Sequence, residues 1–159
     1  MDDDAIDFAL AVWREDGLWH VEPLPPRAAG SLENLTHALR QLPAEGGALG
    51  LVSVAEEFFV VLRMLGAQTR LLLSDVTAAR DWSLADEVLE QLGIPVPDEG
   101  DEIQLAGDLK LFDDLGVGPQ DLDLMCADVE LYPDEVLSSI AARAGFGEQF
   151  DAALESLAQ

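Results

Sequence analysis

The chain has 159 residues, 49% of them hydrophobic, and a formal net charge of −24 from 32 acidic against 8 basic side chains. That length and apolar content suffice for a folded domain burying roughly 70% of its unfolded surface, which excludes wholesale disorder, and no apolar run reaches the roughly 18 residues of a membrane-spanning helix. The charge disfavours direct binding to nucleic acid or to anionic membranes, because affinity for either rests on Lys and Arg displacing counterions.

The imbalance is also segregated. Residues 1–80 hold 12 Asp and Glu against 6 Arg and Lys, whereas residues 81–159 hold 20 against 2. Such a field steers a basic protein surface toward encounter, and it also serves solubility alone. The opening "MDDDAIDF" sets aspartates where a secretion signal needs lysine or arginine ahead of a long apolar core, which predicts a cytoplasmic protein. Cys126 is the single cysteine. It forms no intrachain disulfide and no Cys-rich zinc site, and a small buried side chain is its expected role.

In chain order, "IDFALAVWREDGLWHVEPLPP" predicts a hairpin turning at Asp16-Gly17, a pair that accepts the positive φ angles of a type I′ turn. That turn sets Val12 opposite Val21 and Arg14 opposite Trp19, and gathers Phe8, Leu10, Val12 and Val21 on one face. Ser31 then caps a helix with Leu32, Leu35, Leu39 and Leu42 at helical spacing, stopped by Pro43. Three strand-length apolar runs follow, "ALGLVSV", "FFVVLRML" and "RLLLSD", with separators short enough only for tight connections, so an antiparallel meander is expected. The run from Phe58 to Leu65 reads as a central strand with a helix on one face. Its other face meets the carboxyl-terminal helices or a partner, which gives Phe58 and Phe59 a core role or a place on an exposed apolar patch.

After Asp75 the pattern turns helical. Ser83 with Asp86 is a capping signal ahead of Leu84, Val88, Leu89 and Leu92, and Gly93 closes that helix. "IPVPDEGDEIQLAGD" has no strong period and reads as an acidic linker. Helices are then expected over Asp108–Leu115, Pro119 to about Val129, and Pro133–Ala144, bounded by proline at the start and glycine past the end. A last helix from about Glu148 aligns Phe150, Leu154 and Leu157 on one side. The predicted fold is α+β: an antiparallel ββαβββ sheet with packed helices over residues 1–94, an acidic linker over 95–107, and a small helical bundle over 108–159.

Chemistry-bearing patterns are sparse. Asp98, Glu99, Asp101 and Glu102 surround Gly100, but Pro97 breaks the alternation that an EF-hand loop requires. His20 and His37 belong to no zinc motif. Asp113-Asp114 and Glu56-Glu57 are adjacent pairs, and sequence neighbours point in different directions on a helix or strand, so adjacency makes neither a catalytic dyad. Ser74 and Asp75 end a buried strand, a common place for binding groups, yet helix capping accounts for them. "AEGGALG" and "LGVGPQD" lack the phosphate-loop and dinucleotide patterns. No catalytic residue, metal or cofactor is therefore expected.

With "FFVVLR", "RLLLSDVTAARD", "LFDDLGV", "YPDEVLSSIA" and "GFGEQFDAAL" in this order, the whole chain resembles the actinobacterial family of tRNA adenosine deaminase-associated proteins. Leu73-Ser74-Asp75 through Ala79, Pro133 through Leu137, and Gly145-Phe146-Gly147 occupy the places of that family's signatures. The acidic run "PDEGDE" is shorter here than in the family pattern. The resemblance implies association with the zinc enzyme that converts the wobble adenosine of a tRNA to inosine. It does not imply deaminase activity, since the H-x-E and P-C-x-x-C signatures are absent from the sequence.

The function expected is that of a non-enzymatic partner of a tRNA-specific adenosine deaminase. Its partner-facing candidates are Phe58, Phe59 and Trp82 as an apolar patch and Asp98, Glu99, Asp101, Glu102, Asp113 and Asp114 as acidic contacts. Two rivals stand beside it: an acidic adaptor or nucleic-acid mimic that binds other basic proteins, and an enzyme whose pocket the sequence does not reveal. The oligomeric state is left open.

Overall fold

The computed structural model describes residues 6–42, 47–65, 68–98, 105–128 and 130–157. Its strands are β1 (Ile6–Glu15), β2 (Leu18–Pro23), β3 (Ala48–Val54), β4 (Phe58–Leu65), β5 (Gln68–Leu73) and β6 (Ala106–Gly107). The helices are α1 (Leu32–Arg40), α2 (Ser83–Leu92), α3 (Pro119–Ala127), α4 (Pro133–Ala144) and α5 (Gly147–Leu157). The strands form one antiparallel sheet in the order β2-β1-β3-β4-β5-β6, and the fold is α+β.

The hairpin follows from its turn. Asp16 and Gly17 have φ of 56° and 77°, the left-handed pair of a type I′ turn. Val12 accordingly pairs with Val21, and Arg14 with Trp19, and the Arg14 guanidinium lies 5.4 Å from the Trp19 ring centroid.

Side chains alternate across a strand, so an unbroken apolar run feeds two cores. Phe58, Val60 and Leu62 of β4 join Leu35 and Leu39 of α1 and Leu84, Val88 and Leu89 of α2 on one face. Phe59 and Val61 join Phe112, Leu122, Leu137, Ile140, Phe146 and Phe150 on the other. This is why β4 is apolar at nearly every position. α1 is capped by the Ser31 hydroxyl, which accepts from the Asn34 amide at 3.1 Å. It sits so close to β3 that a Cβ on Gly50 would lie 3.0 Å from the Leu35 Cδ1.

The structure departs from the sequence reading in three places. β6 emerges from the end of the stretch expected to be linker and pairs with β5, Leu72 opposite Gly107 and Leu73 opposite Ala106. Residues 108–115 form turns that end in a 3-10 turn over Asp113–Leu115. There the Asp108 carboxylate accepts from the Lys110 amide at 2.9 Å and the Leu111 carbonyl accepts from the Arg63 guanidinium at 2.6 Å, and such side-chain bonds compete with a helical ladder. Ser83 is not a cap but the first helical residue of α2. The Asp86 amide donates to the carbonyl of Trp82, whose ring is anchored against Phe58, so the helix starts one residue early. The last helix forms as expected, as α5, and its stripe runs from the buried Phe150 to Leu157, which is 46% exposed.

Candidate interaction surface

Where β4 begins and β5 ends, the end of α3 and the start of α4 close over the sheet, leaving a cleft of ≈ 110 Å³. It is lined by Glu57, Phe59, Ser74, Asp75, Cys126, Asp128, Leu131, Pro133 and Val136. Two of the segments that carry the family resemblance, Leu73-Ser74-Asp75 and Pro133 through Leu137, therefore meet in space although about sixty residues separate them in the chain.

Each polar group in this cleft already has a structural task. The Ser74 hydroxyl accepts from the Phe59 amide at 2.9 Å, in the gap left where the β4–β5 ladder ends. Asp75 caps the 3-10 turn over Val76–Arg80, accepting from the Thr77 amide at 2.9 Å and its hydroxyl at 2.6 Å. Asp128 accepts from the Glu130 amide at 3.0 Å. Burial, with the Asp123 charge added, pushes the Cys126 thiol up to about 12, far from a reactive thiolate at neutral pH. The cleft is also smaller than the few hundred Å³ usual for a small-molecule site.

Glu57 leads outward from the cleft to Trp82. The β3–β4 connection holds Ala55 and Glu56 at φ of 52° and 54°, strained for residues with a Cβ. The Asp7 carboxylate secures it by accepting from the Glu56 amide at 2.7 Å and the Ser53 hydroxyl at 3.0 Å. The Glu57 carboxylate then accepts from the Trp82 indole at 3.2 Å, and the Trp82 ring rests 6.2 Å from that of Phe58. Trp82 is half-buried, whereas Phe58 and Phe59 are 0% and 1% exposed and face opposite cores. The three aromatics do not form a common surface patch.

The acidic candidates also divide. Asp98 and Asp113 are exposed, while Glu99, Asp101 and Glu102 lie outside the described residues. Asp114 is exposed as well, but it is engaged by a buried arginine. Its two oxygens accept from the Arg63 guanidinium at 2.6 and 2.9 Å, and this bidentate bond, with the guanidinium charge, lowers its pKa below the ordinary 3.8 against an opposing desolvation. Arg63 is 5% exposed in β4, directly opposite Arg70 of β5. Arg70 lies 3.5 Å from Asp108. Two cations side by side on the sheet thus tie both ends of the segment 108–114 to it. Sequence reasoning passed over Arg63; its signal was one cation inside "FFVVLRML", with a second at the paired position of the next strand.

On the opposite face, α1 and α2 border an open groove of ≈ 780 Å³ with Glu33, His37, Arg40, Glu87 and Glu90 among its lining. Glu87 is engaged there, accepting from the Leu32 amide at 2.8 Å at the start of α1. Among the described residues, no three His, Cys, Asp or Glu are grouped to hold a metal ion, and no helix is long and apolar enough to cross a membrane.

Fold and surface together define an acidic α+β protein with a carboxyl-terminal helical layer fastened over one face of its sheet. The chain belongs to the Rv3753c-like tRNA adenosine deaminase-associated protein family, whose model matches residues 7–147. A curated relative, Protein Rv3753c of Mycobacterium tuberculosis (strain ATCC 25618 / H37Rv), is 40% identical over 154 residues, which cover 94% of this chain and 88% of the relative. No solved structure matches the chain.

Proposed function

We propose that this protein is a non-enzymatic, cytoplasmic partner of a tRNA-specific adenosine deaminase, and that its acidic carboxyl-terminal layer engages a basic surface of that enzyme. The family description supports the choice of partner. The observation that supports the mode of binding is the segregated charge. After residue 105 there are 12 acidic and 2 basic side chains, and ion pairs seen among the described residues engage three of those acids, Asp108, Asp114 and Asp121. A net negative field of this size complements a surface built to bind the anticodon stem of a tRNA. Asp98, Asp113 and the half-buried Trp82 are the candidate contacts that remain on the surface; Glu99, Asp101 and Glu102 complete the acidic set.

Titrating the deaminase with the protein at low and high salt, with and without tRNA, tests this reading. The expected result is an affinity that falls about tenfold or more as salt rises, with tRNA competing for the same surface. Binding indifferent to both salt and tRNA would remove the electrostatic mode, and no binding at any salt would remove the partnership.

A further inference from the structure

The apolar face of α5 is only partly covered. Phe150 is fully buried against Phe8, their ring centroids 6.0 Å apart. One turn on, Leu154 is half-buried, and one further, Leu157 is 46% exposed. α4 and α5 are consecutive helices joined at Gly145, and Leu154 shares a groove with Leu131 at the start of α4, next in the chain to Tyr132, which is 59% exposed. Between the two helices runs a groove of ≈ 420 Å³ with Leu131, Phe150 and Leu154 on its apolar side and Asp134, Glu135 and Asp151 along its rim.

We infer that the open end of this groove seats a basic amphipathic segment of a protein partner, one that sets an aliphatic or aromatic side chain on Leu154, Leu157 and Tyr132 with Lys or Arg on either side. The inference rests on the proposed partnership and names its docking point.

Charge selects the occupant. Arg143, the one basic residue between 131 and 157, lies by the Gly145 turn at the far end and is 3.3 Å from Asp121. α5 has no basic residue in its last turn, so its carboxyl-terminal dipole also favours a cation from outside. A second copy of this chain, itself at −24, would bring acid against acid, and an anionic membrane would be repelled in the same way. An apolar stripe inside an acidic rim is the complement of a basic helix.

The test pairs two full-length variants of equal charge change. Asp151→Lys with Leu157→Lys alters the groove; Glu33→Lys with Gln91→Lys alters the α1–α2 face, and each pair adds two charges plus one. All four positions are exposed, so both variants are expected to melt close to the unaltered protein. Binding to the deaminase should weaken at least tenfold for the groove variant and less than threefold for the other. Equal weakening by both, or none by the groove pair while the unaltered protein binds, overturns the docking point and leaves the partnership standing. Failure of the unaltered protein to bind overturns both. A dimer seen by sedimentation that the groove pair dissociates overturns the inference in favour of self-association.

Discussion

The two faces of the sheet are covered in different ways. On one, α1 and α2 are short amphipathic helices that follow their strands closely and pack by shape, α1 near enough to need Gly50 beneath it. The other is covered by everything after residue 105: β6 on the sheet edge, turns fastened by Arg63 and Arg70, then three helices. The second cover is the more one-sided in charge, with 12 acidic against 2 basic side chains. A layer loaded with like charge needs attachments beyond apolar packing, and the two sheet cations supply them at the point where the layer begins. An arginine buried in β4 thereby serves a part of the chain that lies about fifty residues away.

The largest expected effect distinguishes two covers that unfold as one unit from a second cover that unfolds by itself. Phe58→Ala and Phe112→Ala remove fully buried rings from the first and second cores respectively. Each should cost about 3–5 kcal/mol. If the two covers form one cooperative unit, both substitutions lower a single urea transition. Trp82, against Phe58, and Trp19, whose ring lies 5.2 Å from Phe146, report the two covers separately in single-tryptophan proteins. An early transition at Trp19 alone in Phe112→Ala would instead show that residues 108–159 are an independent segment.

A smaller effect sharpens the role of the ion pair. Asp114→Asn keeps the shape but weakens the bidentate contact, and because the Asp114 side chain is 63% exposed the cost should be about 1–2 kcal/mol. The pH dependence has a definite sign. Asp114 has a folded pKa below its ordinary 3.8, so its contribution is present above that value and is lost as pH falls through the lower, folded one. Melting temperatures followed from pH 6 to pH 2.5 should drop less steeply for Asp114→Asn; parallel curves would show that the pair does not govern the acid limb.

The smallest expected effect concerns Cys126 at the end of α3. Its thiol is raised from 9.0 to about 12, so it stays neutral in the folded protein, and its contribution holds below the unfolded value and disappears as pH rises toward the folded one. At pH 8.5, iodoacetamide should alkylate the folded protein on the order of a hundredfold more slowly than the urea-unfolded chain. Fast labelling without urea would mean that the second cover opens readily, and stability at neutral pH should not change either way.

The elements legible in the sequence are those whose determinants are local. Asp16-Gly17 dictated the hairpin register down to Arg14 opposite Trp19, Ser31 marked the start of α1, and Gly93 and Gly145 closed their helices in the left-handed conformation. The family was legible too, through Leu73-Ser74-Asp75 and the segments around Pro133 and Gly145. Local rules failed where a distant group intervened. Leu111 and Asp114 were drawn out of a helix by Arg63, and the start of α2 was moved by the seat of Trp82 on Phe58.

By itself, then, the sequence determined the strand and helix types, the hairpin pairing, the apolar character of β4 and the charge imbalance, because each is written in the identity and spacing of neighbouring residues. Only the tertiary structure decided that Phe58 and Phe59 serve two separate cores, that Ala106 and Gly107 add a sixth strand, and that Asp114 belongs to the interior arginine. It also decided where the stripe of α5 emerges into solvent. These outcomes depend on which surfaces meet after the chain has doubled back. A residue's partner across fifty positions is chosen by the packing of the whole sheet, and no window along the chain contains it.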